Sequence, residues 1–117
     1  MRAIRVHEFG DPDQMKLDDV ADPTPGPGQV LVKVAAIGVN PVDTYIRAGV
    51  HLIKPDLPFI PGSDAAGTVL AVGGGVSNFK AGDRVYAAGF VGGSGNDCYA
   101  ELLLRRADQI LSLPDHV

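Results

Sequence analysis

Chemistry in this chain has to be built from few reactive groups: one thiol (Cys98), three imidazoles (His7, His51 and His116), fourteen carboxylates and glycine-rich runs at residues 73–75 and 89–95. The histidines lie far apart, and none stands at ligand spacing from Cys98 or an acid, so they make no metal site. Neither G-x-x-x-x-G-K-[ST] nor G-x-G-x-x-G fits either glycine run, and no βα unit surrounds them. Turn glycines are the expectation there. Gly92-Gly93-Ser94-Gly95-Asn96 misses a G-x-S-x-G nucleophile elbow by its last residue and lacks the strand–turn–helix context. A lone cysteine cannot form an internal disulfide, which suits a reducing compartment, and Cys98 reads as a small buried hydrophobe.

The elements that would position any site are mostly strands. Alternation or β-branched density predicts strands at residues 1–9, 14–20, 29–37, 64–72, 99–104 and 109–113, with 79–86 a turn leading into another; Gly/Pro-rich turns divide most of them, and the charged Arg105-Arg106-Ala107-Asp108 separates the last two. One helix is predicted. Asn40 is its N-cap, Pro41 its first residue, Asp43 an acid at the third position, and Gly49 the stop. Val42, Tyr45 and Ile46 share a face of that helix. About seven strands at this spacing predict a mostly β fold, a small partly open barrel with one or two short helices.

Composition narrows the function classes. Ten basic against fourteen acidic residues give a net charge of −4 with no basic stripe, so nucleic acid is not an expected partner. No apolar run is long enough for a membrane helix, and the charged first residues do not resemble a signal peptide. A cytoplasmic domain of 117 residues follows as the expectation.

Three segments carry more. They are Gly38-Val39-Asn40-Pro41-Val42-Asp43-Thr44-Tyr45-Ile46-Arg47-Ala48-Gly49, then Pro61-Gly62-Ser63-Asp64-Ala65-Ala66-Gly67, and Phe79-Lys80-Ala81-Gly82-Asp83-Arg84-Val85. In this order the sequence resembles the N-terminal, GroES-like catalytic domain of medium-chain dehydrogenases/reductases, and within them the zeta-crystallin type of NADPH:quinone oxidoreductase. The resemblance spans essentially the whole chain, residues 1–117. Zinc alcohol dehydrogenases of that superfamily have Cys where Asn40 stands and Gly-His-Glu where Gly62-Ser63-Asp64 stands. Asn and Ser are poor zinc ligands, so the resemblance implies that no zinc is bound.

An alcohol needs a Lewis acid to polarise its oxygen, whereas a quinone is already electron-poor. The implied activity is hydride transfer from NADPH to a quinone or another conjugated carbonyl, in a cleft between two domains. Asn40, Asp43, Tyr45, Ser63 and Asp64 would line the wall this domain provides. The resemblance makes Tyr45, Asn40 and Asp43 the catalytic candidates, with Tyr45 donating to substrate oxygen. It makes Asn40, Ser63 and Asp64 the candidates for contacting cofactor. Each has a structural rival: helix capping for Asn40 and Asp43, core packing for Tyr45, and backbone geometry for Gly62 and Gly67.

No dinucleotide fingerprint is present, so NADPH is not expected to bind this chain alone. The Rossmann domain of the resembled reductases, which form homodimers at full length, is absent. An enoyl or alkenal reductase of the same superfamily, or a non-catalytic GroES-like interaction module, are the alternative readings.

Overall fold

The computed structural model describes residues 1–88 and 97–117. The glycine run at 89–95 and the near-elbow around Ser94 lie outside the described residues. A hairpin opens the chain: β1 (Arg2–Val6) pairs antiparallel with β2 (Met15–Asp19). The rest builds one antiparallel sheet from β3 (Gln29–Ile37), β4 (Ala65–Val72), β5 (Arg84–Ala87), β6 (Leu102–Arg106) and β7 (Ile110–Ser112), in the order β6-β3-β4-β5-β7. The single α-helix among the described residues, α1 (Pro41–Ala48), leaves from the end of β3. This curled sheet with one helix and two short 3-10 turns is the mostly β, GroES-like half-barrel predicted. Among the described residues no helix is long and apolar enough to cross a membrane.

Two clusters hold the layers together. The larger packs Val30, Val32, Val69, Val85, Leu103 and Ile110 between the strands of the sheet, all almost fully buried. The smaller joins hairpin to helix through Val6, Ile46 and Phe59. Fully burying a Val or Leu side chain contributes about 1.5–3 kcal/mol, so these positions dominate the fold's stability. Isolated bridges Ala3↔Ala100 and Val6↔Phe59 tie β1 to the segments that carry the site.

The turn expected ahead of β5 is present, whereas the strand predicted from Tyr99 begins later, at Leu102. Residues 80–83 form that turn, in which the Asp83 carboxylate accepts both the Lys80 backbone N–H and its ammonium, at 3.0 and 2.8 Å. Residues 99–101 bridge to β1 before β6 begins. Arg105, placed by sequence in a charged connection, belongs to β6 and is buried. Its guanidinium donates to the Leu104 carbonyl at 3.0 Å and approaches the Cys98 sulfur at 3.5 Å, satisfying part of a charge that a strand interior would otherwise strand.

Candidate functional site

The end of β3 delivers the chain to α1, and α1 begins as its sequence dictates. Asn40 has extended backbone angles, Pro41 needs no hydrogen-bond partner for its nitrogen, and Gly49 ends the helix in the left-handed region at φ 78°. Asn40 and Asp43 form a capping box. In it the Asn40 backbone N–H donates to Asp43 Oδ2 at 3.0 Å, and the Asp43 N–H donates to the Asn40 carbonyl at 3.0 Å.

The helix thereby points Asp43 inward, where it is 4% exposed. Ser63, buried just ahead of β4, donates its hydroxyl to Asp43 Oδ1 at 2.5 Å. The Tyr99 hydroxyl reaches Asp43 Oδ2 at 3.4 Å. One carboxylate thus collects a backbone N–H and two hydroxyls, the pattern that makes burying it tolerable. Asn40 meanwhile turns its side-chain nitrogen to Asp64, at 2.8 Å from Oδ1. Asp64 lies against Gly38, where a Cβ would collide with its carboxylate. Among the described residues neither Asp43 nor Asp64 forms an ion pair.

Four of the five predicted site residues, Asn40, Asp43, Ser63 and Asp64, therefore form one hydrogen-bonded cluster drawn from α1 and the approach to β4. The fifth does not join it. Tyr45 is 52% exposed, outside the packing face that Ile46 and Val42 make, and its hydroxyl has no hydrogen-bond partner among the described residues.

Tyr99 is the residue that sequence reasoning missed. Its backbone is fixed from both sides: its N–H donates to the Pro61 carbonyl at 2.9 Å and its carbonyl accepts from Ile4 at 2.8 Å. Gly62 makes room for it, since a Cβ at its φ of 110° would come within 2.6 Å of the Tyr99 ring. The signal available was a tyrosine beside a buried cysteine at a strand entrance. Nothing local connects it to Asp43, 56 residues earlier.

Burial shapes the ionisation of this corner. The Tyr99 phenol is pushed up to about 12, first by desolvation and then by the neighbouring Asp43 charge. Burial likewise pushes the Cys98 thiol up to about 11. Cys98 is completely buried, so it is a packing residue rather than a nucleophile. A cleft of about 270 Å³ lined by Ile4, Val34, Ala36, Ile37 and Tyr99 flanks the cluster. Another of about 200 Å³ is lined by Asp64, Ala66, Tyr86 and Ala87.

The donor set argues against a metal. Asn40 offers its amide nitrogen as a donor to Asp64, and Ser63 is committed to Asp43. Among the described residues no three His, Cys, Asp or Glu side chains converge as a ligand set. What the arrangement offers is an amide and a hydroxyl held in place by two carboxylates.

Comparison with known proteins bears on what such a wall is for. Residues 26–115 match the family model of the alcohol dehydrogenase GroES-like domain. The chain is 54% identical to quinone oxidoreductase of Sus scrofa over 116 residues, which cover 98% of this chain and 34% of that protein. It is 39% identical to quinone oxidoreductase of Pseudomonas aeruginosa, over 99% of this chain and 34% of that protein. It superposes on the structure of Escherichia coli quinone oxidoreductase complexed with NADPH with a TM-score of 0.90 at 35% identity, covering all of this chain and 34% of the other. The chain spans about a third of the length of the curated relatives it matches.

Proposed function

The chain belongs to the alcohol dehydrogenase GroES-like domain family, and from that premise we propose that it is the substrate-facing domain of a zinc-independent, NADPH-dependent quinone oxidoreductase. The observation that carries this is the cluster itself. Asn40 and Ser63, where the superfamily's zinc enzymes have metal ligands, are hydrogen-bonded to Asp64 and Asp43. Similarity to quinone oxidoreductases over 98% of the chain supports the substrate class.

When bound, NADPH supplies the hydride. This chain's residues supply the wall against which the quinone lies. As hydride adds, negative charge grows on a quinone oxygen, and conjugation spreads it. Donors held in place beforehand then lower the barrier without a metal. Asn40 retains one side-chain N–H beyond the one given to Asp64. Tyr45, exposed with a hydroxyl that no described residue engages, is the second candidate donor, and it can pass a proton from solvent to the reduced oxygen. Asp43 does not touch substrate. It holds Ser63 and the first turn of α1, and so keeps Asn40 in place. Ser63 and Asp64 remain candidates for the edge that faces the cofactor. The cofactor itself would be held by a further domain, and the assembled enzyme is proposed to be a cytoplasmic homodimer.

The test is a hybrid reductase in which these 117 residues replace the matching third of the Sus scrofa relative. Quinone-dependent NADPH oxidation is expected. Turnover confined to enoyl or alkenal substrates would instead select the sister activity in the superfamily.

A further inference from the structure

We propose that Asp64 is a positioning residue, whose task is to hold the Asn40 side-chain amide in one of its two flips. The proposal rests on Asn40 facing substrate, and it deepens that reading. A carboxylate only accepts hydrogen bonds, so the group 2.8 Å from Asp64 Oδ1 must be the Asn40 nitrogen and not its oxygen. The flip is thus dictated by chemistry. The Asp43 N–H is taken by the Asn40 backbone carbonyl at 3.0 Å, so the helix start makes no demand on the side-chain amide that would oppose this flip. The second Nδ2–H is what remains for a ligand, so Asn40 presents a donor, which is the polarity a developing oxyanion requires.

Two further features serve this geometry. Gly38 has no Cβ, and the Asp64 carboxylate fills the space that a Cβ would take. The Gly38 N–H also donates to the Asp64 backbone carbonyl at 3.3 Å, joining the end of β3 to the residue before β4. Asp64 is therefore anchored at both its main chain and its side chain. Without it the amide could rotate and offer its oxygen, which would repel the charge it is meant to stabilise.

The 117-residue chain permits a test that needs neither cofactor nor quinone. In ¹⁵N-resolved NMR spectra the two Asn40 side-chain amide protons should be well separated, with the Asp64-bonded one downfield. Asp64→Ala should move the downfield proton back and narrow the gap to that of a solvent-exposed asparagine amide, whose two protons stay distinct because the amide C–N bond rotates slowly. Asp64→Asn, whose amide oxygen still accepts, should keep them apart. Gly38→Ala should act like Asp64→Ala by displacing the carboxylate. A native separation no wider than that of the exposed Asn78 amide, or one unmoved by Asp64→Ala, would overturn the proposal.

In the hybrid reductase, Asn40→Ala and Asp64→Ala should each lower kcat by about tenfold to a hundredfold with little change in KM, the scale expected for a misplaced catalytic group. The double variant should be no worse than Asn40→Ala alone. Additive losses would overturn the positioning role while leaving the reductase reading intact. No loss with Asn40→Ala would instead strike the reading that Asn40 faces substrate, whatever the NMR spectra show.

Discussion

Asp43 is the residue on which the site's stability turns, because three donors converge on a carboxylate that solvent barely reaches. Removing one leaves a buried acceptor short of a partner, at a cost of about 1–3 kcal/mol. Ser63→Ala should lower unfolding free energy by that amount in urea titration, with an unchanged slope. Tyr99 and Cys98 make a second prediction at this scale. The folded protein keeps the phenol protonated to about 12 and the thiol to about 11, against ordinary values of 10 and 9. Between each ordinary value and its raised one the unfolded chain has lost the proton and the folded chain has not. The stability these groups contribute is therefore whole below pH 9 and declines as pH rises toward 12. Tyr99→Phe should flatten the upper part of that decline in thermal melts taken across alkaline pH, and an unchanged profile would place its cause elsewhere. Native Cys98 should resist thiol reagents until the chain unfolds, since burial disfavours its thiolate.

At the scale of elements, the site depends on segments that local sequence describes unequally well. The helix was legible from Asn40-Pro41-Val42-Asp43 and Gly49, because caps act within a few residues. The dense β-branched run at 29–37 matches β3 end to end. The four clustered site residues were legible through two of the quoted segments, 38–49 and 61–67. Tyr99 was not, because its place comes from two backbone hydrogen bonds to partners remote in sequence. Arg105 was misplaced for a related reason: a charge inside a strand is tolerated only through contacts that sequence does not display. The exposure of Tyr45 was likewise hidden, since the helical spacing it shares with Val42 and Ile46 does not say how wide the packed face is. Gly62 gives the prediction proper to this scale. Its φ of 110° and the nearby Tyr99 ring leave no room for a side chain. Gly62→Ala should destabilise by more than the ~1 kcal/mol of an ordinary glycine replacement and release Tyr99 from Asp43. Loss of the high-pH phenol titration would report that release.

For the whole molecule, the sheet and hairpin form a scaffold whose polar corner contributes to the lining of two clefts and carries no dinucleotide fingerprint. In the proposed reductase such a domain shapes the substrate, and the hydride would come from a cofactor held by a further domain. The 117-residue chain alone should accordingly show no saturable NADPH binding by fluorescence titration. The central claim is that the Asn40–Asp64 and Ser63–Asp43 pairs do without zinc what the superfamily's zinc enzymes do with it. It is tested most directly by quinone-dependent NADPH oxidation in the hybrid reductase after exhaustive dialysis against a chelator, with metal content measured on the same sample. Full turnover at substoichiometric zinc is predicted. Turnover that vanishes on dialysis and returns with one zinc per chain would contradict it.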